Sequence, residues 1–368
     1  MLMWKSLAPP STGAARTSTA MGGNNKTKRR AASATPWDGV PESELTPAQA
    51  IVAASHRSMY AFRHERCAGD VGFFNGYPRS ECPFCGGAVR KNGRKATGLQ
   101  RYLCVACGRV STPVTGTIFD GAKLPVAAWV DFLLQAFSFA SVSLMTREDR
   151  RSGTTVPYWM AKLFAVLEGI QDGVVLAGDV WLDETYVSEV AGKLWHRPDG
   201  KLPRGLSRNQ ICIGVGVDGH GKSVFLVEGS GQTSTKKTWD AFGGRIARGS
   251  RLIHDMETAH NKLVRELGLR SEVHNGRLLM GAPDDLNPLD PVNEMHFLLK
   301  AFLRSHSGFD RGDLQGYLDL FHVIVNEPAD RLEKAAFVLD RAMRCPKTLR
   351  FRDHYNVEPR SGNSDPLE

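Results

Sequence analysis

Two periodicities divide this chain. From residue 178 onward, short β-branched runs alternate with amphipathic stretches. Residues 180–189, 211–217, 223–227, 251–255 and 271–274 read as strands, and 236–247, 258–267 and 291–305 as helices. Upstream, 124–139 carries Val126, Trp129, Val130, Leu133, Leu134 and Phe137 at helical spacing. A shorter helix at 141–150, a turn at 152–155 and a helix over 156–170 follow. With Thr154, Thr155, Tyr158 and Lys162 near its start, the last pair resembles a helix-turn-helix, and equally a plain helical linker or dimer contact. Thr46 before Pro47 predicts an N-cap and first helical residue.

The order strand-strand-strand-helix-strand-helix-strand-helix is that of the ribonuclease H-like fold, an α/β class with a mixed sheet flanked by helices. In that order the first and fourth strands are neighbours. The first, through 179–183, delivers Asp183 at the end of an apolar run, and the fourth, 251–255, ends on Asp255. Paired carboxylates at adjacent strand ends can share divalent cations, the arrangement of two-metal phosphoryl transfer. The run from Gly216 to Ser223 satisfies the Walker A expression, and Gly214 to Gly219 satisfies G-x-G-x-x-G. Both motifs need a following helix, whereas Val224-Phe-Leu-Val reads as a strand, so the glycines predict a hairpin turn.

Four of the seven cysteines form two C-x2-C pairs, Cys82/Cys85 and Cys104/Cys107, each followed by glycine. Four thiolates at this spacing suit a closed, structural zinc site on a β-ribbon. An odd total with this clustering speaks for metal ligation in a reducing compartment over a disulfide framework.

Charge then narrows the partner. Lys and Arg number 47 against 39 Asp and Glu, a net +8 that favours a polyanion. The candidate DNA contacts are Lys91, Arg94, Lys95 and Arg101 in the ribbon, and Lys193, Arg197, Arg204 and Arg208 in a Pro/Gly-broken insertion. That insertion reads either as a phosphate-contacting loop or as a solvated one. No apolar stretch is long enough for a membrane span, and the first 37 residues, acid-free and without an apolar h-region, read as a disordered basic arm.

The third station is helical. Asn293 and Lys300 lie two turns apart on one stripe, with His296 and Arg304 near it. Glu294 points about 100° away from Asn293 and is a rival metal ligand. Leu182-Asp183-Glu184-Thr185-Tyr186-Val187 resembles the first catalytic strand of DDE transposases from zinc-ribbon insertion sequences related to the Merlin superfamily. Gly116-Thr-Ile-Phe before Lys123-Leu-Pro, and Leu314-Gln-Gly-Tyr-Leu-Asp-Leu-Phe321, are similar to other segments of that family. Asn293 with His296 and Lys300 resembles its Asp-Asp-Asn-Lys subgroup, in which asparagine replaces the third glutamate. The second station departs from the family in carrying His254-Asp255-Met-Glu-Thr-Ala-His260.

The resemblance implies DNA cleavage at transposon ends and strand transfer into target DNA. Asp183, Asp255 and Asn293 would hold two Mg2+ ions, Lys300 and Arg304 would meet phosphate, and one structural Zn2+ would sit on the cysteines. The implied partners are terminal inverted repeats and target duplex, bound by a homodimer or larger assembly in the cytoplasm or nucleoid, with no membrane. The expected organisation is a basic tail (1–45), a helical lead-in (46–76), a zinc ribbon (77–118), a helical DNA-binding region (119–172), the catalytic domain (173–330) and a C-terminal tail (331–368). Two alternatives stand beside it: a ribonuclease H-like nuclease without strand transfer, and a zinc-dependent DNA-binding protein with a lapsed active site.

Overall fold

The computed structural model describes residues 35–58, 69–148, 151–189, 191–276, 278–279, 283, 286–345 and 347–355. The basic residues Lys26, Lys28, Arg29 and Arg30 lie outside them. The chain forms two compact units, one of residues 1–134 with 328–346, the other of 135–327 with 347–368.

The first unit opens with helix α1 (Pro47–Ser58) and the short α2 (Asp70–Asn75). Thr46 caps α1 as its residue type demands: its hydroxyl accepts from the Gln49 amide, and the Gln49 side chain accepts from the Thr46 amide. Strands β1 (Val89–Arg94), β2 (Gln100–Cys104) and β3 (Val110–Ser111) form an antiparallel sheet with Val89 opposite Cys104. Helix α3 (Val126–Phe137) begins here, its first amide held by the Asp70 carboxylate. Phe119, from the Gly116-Thr-Ile-Phe segment, packs edge-on to Trp129, with ring centroids 5.7 Å apart.

One part of the C-terminal segment is not a tail. Residues Arg331–Arg344 form a helix, labelled α10 below, that packs on α1 and buries Leu332, Ala335, Ala336, Val338, Leu339, Ala342 and Met343. Asp330 caps it, accepting from the Leu332 and Glu333 amides. The apolar residues recur at helical spacing, and their burial stabilises the helix more than its composition alone would.

The second unit carries α4 (Val142–Glu148) and α5 (Thr155–Leu167), then β4 (Asp179–Ser188), β5 (Gln210–Asp218) and β6 (Ser223–Ser230). There follow α6 (Thr235–Phe242), β7 (Arg251–His254), α7 (Asn261–Leu267), β8 (Arg270–Val273), α8 (Asp290–Ser305) and α9 (Leu314–Val325), with α10 returning to the first unit and α11 (Phe351–Tyr355) last. The five-stranded sheet has the order β6-β5-β4-β7-β8, with β6, β5 and β4 antiparallel and β4, β7 and β8 parallel. One face carries a core of Val180, Leu182, Leu252, Phe242, Leu263 and Leu267, so α6 and α7 lie there. Helix α8 packs on β4 and β5.

The Walker-like run is a hairpin turn. Asp218 ends β5, Ser223 begins β6, and the Asp218 carboxylate accepts from the amides of His220 and Lys222. Gly221 takes a φ of +81°, which a side chain would resist. No helix N-terminus follows, so the glycines have no phosphate-binding geometry.

The helices of the expected helix-turn-helix form, but α5 is not laid out as a reading helix. None of its residues is exposed. Phe164 stacks on Tyr317 of α9, Tyr158 donates to the Leu349 carbonyl, and Lys162 is buried with its ammonium over the Tyr158 ring. These contacts hold Tyr158, Lys162 and Phe164 within the second unit.

Close packing on the sheet makes one substitution informative. A Cβ on Gly214 would stand 2.5 Å from a Phe242 ring carbon and 2.7 Å from a Glu228 carboxylate oxygen. Gly214→Ala is therefore expected to cost about 1–3 kcal/mol of stability, measured by denaturant unfolding of the full chain.

Candidate functional site

Register builds the centre of the site. β4 and β7 run parallel with Leu182 opposite His254, so Asp183 and Asp255, each one residue further on, emerge side by side. Side chains alternate along β4, and Leu182 lies in the α6/α7 core. Asp183 therefore faces the other way, towards α8, where His296 Nδ1 lies 3.7 Å from its Oδ2. On the same face the Trp181 indole donates to the Pro288 carbonyl at 2.7 Å, tying β4 to the chain just before α8.

Burial and the Asp255 charge push the Asp183 carboxyl up to about 7, although the Glu184 amide donates to it at 2.8 Å. The Asp255 carboxylate accepts from the Glu257 amide at 2.8 Å, which orients it at the strand end. Two carboxylates this close favour a divalent cation, because its charge removes the repulsion that otherwise holds a proton on one of them.

The third station needs redrawing in part. His296 is the α8 side chain beside Asp183, buried and held down to about 4 by desolvation and the Lys300 charge. Asn293, one turn earlier on the stripe, is exposed, and Lys300, one turn later, is exposed as well. Glu294 is half-buried. Among the described contacts none joins Asn293 to either aspartate. The i, i+3, i+7 spacing put His296 on this stripe, yet nothing in the sequence ranked it above its neighbour.

Behind the aspartates lies a polar group that the pattern reading largely passed over. On the α6/α7 side, Glu184 Oε1 is 3.0 Å from His260 Nε2. His260 Nδ1 is 3.0 Å from His254 Nδ1, and His254 Nε2 is 2.9 Å from Ser271 Oγ. Both imidazoles are buried. Burial opposes a charge on His260, but the Glu184 carboxylate and the Asp255 and Asp183 charges outweigh it and raise its affinity for a proton. His254 is pushed down to about 4 by burial and by His260. The signal available in the sequence was His254 before Asp255 and His260 five residues after it.

The cysteine cluster is a separate site in the first unit. Cys82 and Cys107 sulfurs are 3.7 Å apart and Cys85 and Cys104 sulfurs 3.5 Å, close to the roughly 3.8 Å edge of a tetrahedron of sulfurs about 2.3 Å from a zinc ion. All four belong to a group that could hold a metal ion. Gly86 and Gly108 take φ values of +72° and +69°, turning each knuckle so that the Phe84 and Cys107 amides face the Cys82 and Cys104 sulfurs.

The remaining predicted contacts are on the surface. Lys91, Arg94, Lys95, Arg197, Arg204, Arg208 and Arg304 are exposed, and Arg101 is half-buried. Lys193 pairs with Asp310 and Arg197 with Asp199. Arg208 lies over the Trp195 ring, and Asn209 bridges the Trp195 amide and carbonyl, so the insertion is an organised loop. Among the described residues no helix is long and apolar enough to cross a membrane.

No protein-family model matches the chain, and no curated protein matches it. Among solved structures, the chain is similar to one in the crystal structure of a pre-cleavage Mos1 transpososome, at 11% identity and a TM-score of 0.24. The alignment covers 58% of this chain and 76% of that one. A score of that size fixes neither fold nor function.

Two measurements bear on these sites. The purified protein is expected to hold about one zinc per chain, and Cys104→Ser to lose it, by elemental analysis. Asp183 supplies the second. Its folded carboxyl keeps a proton that the unfolded chain releases near 3.8, so its contribution to stability, present at low pH, is lost as pH rises from about 4 to about 7. His254 and His296, both held near 4, contribute the opposite slope. The difference in unfolding free energy between wild type and Asp183→Asn without divalent ions is therefore expected to fall across that window.

Proposed function

We propose that this protein is a DNA transposase of the zinc-ribbon insertion-sequence type, with a ribonuclease H-like catalytic domain in the second unit. The observation that carries the reading is the parallel β4–β7 register, which sets Asp183 beside Asp255 under a helix bearing His296 and Lys300. The strand order β6-β5-β4-β7-β8, with β4 central, supports the fold.

The donor set fits Mg2+: two carboxylates, one held up to about 7 by burial and by the other, and an α8 residue. Asp183 and Asp255 would hold the metal, with Asn293, Glu294 or His296 completing the set. When bound, it supplies an activated water or 3′-hydroxyl and charge at the leaving oxygen. The chain's own residues do the rest. Lys300, exposed one turn beyond His296, offers a cation to a phosphate at the scissile bond, and Arg304 continues that stripe. Lys91, Arg94, Lys95 and Arg101 on the ribbon and Arg204 and Arg208 on the ordered loop meet phosphates in salt-sensitive contacts. Zinc on the four cysteines holds the ribbon. Pairing of two transposon ends calls for a dimer or larger assembly on DNA, inside the cell.

A second reading has one observation in its favour. Asn293 is exposed and lacks the charge of a third acidic ligand, as a DNA-binding protein with a lapsed site would show.

The test is strand transfer in vitro with the element's own flanking ends in Mg2+. Joined product is expected from wild type and none above background from Asp183→Ala or Asp255→Ala. Nicks without joining would favour the nuclease. A shift of DNA without cleavage in any of the three proteins would favour the lapsed site.

A further inference from the structure

His254 and His260 face each other through the same ring atom. Their Nδ1 atoms are 3.0 Å apart, and both rings are buried, at 2% and 0% exposure. Their outer nitrogens are occupied. His260 Nε2 lies 3.0 Å from the buried Glu184 carboxylate, and His254 Nε2 lies 2.9 Å from Ser271 Oγ. An imidazole that donates its Nε2–H to a carboxylate carries its lone pair on Nδ1. His254 Nε2 faces a hydroxyl that can accept or donate, and where it accepts, the two Nδ1 lone pairs face each other and need a positive centre between them. Either a proton or a metal ion supplies it.

The surroundings are those of a metal-binding pair of histidines. Metal-ligating imidazoles almost always give their second N–H to a carboxylate, carbonyl or hydroxyl, which fixes the tautomer and aims the ring. Both rings here are anchored in that way. An oxygen of Asp255 lies within 4.8 Å of a ring nitrogen of each histidine, making a third potential donor. An ion about 2.1 Å from each of two nitrogens 3.0 Å apart would subtend roughly 90° at the metal. That is the angle between neighbouring ligands of an octahedron, narrower than in the tetrahedron usual for Zn2+ and better suited to Mn2+, Fe2+ or Co2+.

We propose that His254, His260 and Asp255 form a binding site for an octahedral first-row divalent ion, one that takes imidazole in preference to the all-oxygen ligands of Mg2+. The site lies on the α6/α7 side of the sheet and shares only Asp255 with the carboxylate pair that faces α8. It is a property of the free protein, independent of the DNA chemistry proposed above. Glu184 and Ser271 are positioning residues that hold the two rings.

The experiment uses the full chain with its cysteine cluster filled by zinc and Co2+ as the probe, followed by equilibrium dialysis and visible absorption. Wild type is expected to bind one further Co2+ with d–d bands of a nitrogen and oxygen site and no thiolate charge-transfer band, at least about tenfold more tightly than Mg2+. His260→Ala and His254→Gln should abolish it. Ser271→Ala should weaken it by about tenfold while leaving the fold unchanged, and so covers the case in which a histidine variant fails to fold. Asp183→Ala should keep it, which separates this site from the carboxylate pair. No Co2+ beyond the cysteine cluster at millimolar concentration would overturn the proposal and leave a shared proton between the rings. Uptake unchanged in both histidine variants but lost in Asp183→Ala would overturn it by placing the ion at the carboxylate pair.

Discussion

Asp183 and Asp255 stand beside each other because β4 and β7 run parallel in register, and burial together with the Asp255 charge raises the affinity of Asp183 for a proton. Much of the second unit bears on that affinity. Amides of Glu184 and Glu257 point hydrogens at the two carboxylates. The two carboxylates in turn raise the affinity of the buried His260 for a proton. On the opposite face His296, kept neutral by burial, adds no positive charge. The residual repulsion between two such carboxylates would favour a divalent cation there.

The sheet serves two kinds of chemistry because its side chains alternate. Odd-numbered positions of β4, Trp181 and Asp183, look to α8. Even-numbered ones, Val180, Leu182 and Glu184, look to the α6/α7 core. A one-residue slip of β4 against β7 would exchange the two sets, putting Leu182 among polar groups and Asp183 in the apolar core. The long pairing of β4 with β5, from Val180 opposite Asp218 to Ser188 opposite Gln210, guards against that slip.

Period-2 runs and fixed spacings were readable without coordinates. The five strands, the C-x2-C pairs and the neighbouring aspartates each rest on local pattern or on a short list of strand orders, and the hairpin at Asp218–Ser223 follows from the β-branched run after it. What stayed hidden depends on which neighbour fills a space. Asn293 and His296 share a stripe, and only packing decides that His296 reaches Asp183. His254 and His260 sit in a stretch with no periodicity of its own, and their pairing exists only once Glu184 from β4 and Ser271 from β8 close around them. Tyr158 and Lys162 have the look of exposed DNA contacts until Leu349 and Phe351 are found against Tyr158, and the Tyr158 ring under Lys162. Helix α10 lies in a segment whose terminal place suggests a tail, although Leu332, Ala335, Leu339 and Ala342 mark an apolar face.

That helix has a consequence for how the molecule is made. The first unit is discontinuous: residues up to 134 wait for 328–346 to supply α10 against α1. On a ribosome adding roughly 5–20 residues per second, those partners are separated by a delay on the order of fifteen to fifty-five seconds. During it, the apolar side of α1 can meet α2, beside which Ile51 lies, but not α10. The amino-terminal unit, made before the rest of this chain, is thus among the last to be completed, and the face of α1 that meets α10 stays uncovered through that interval.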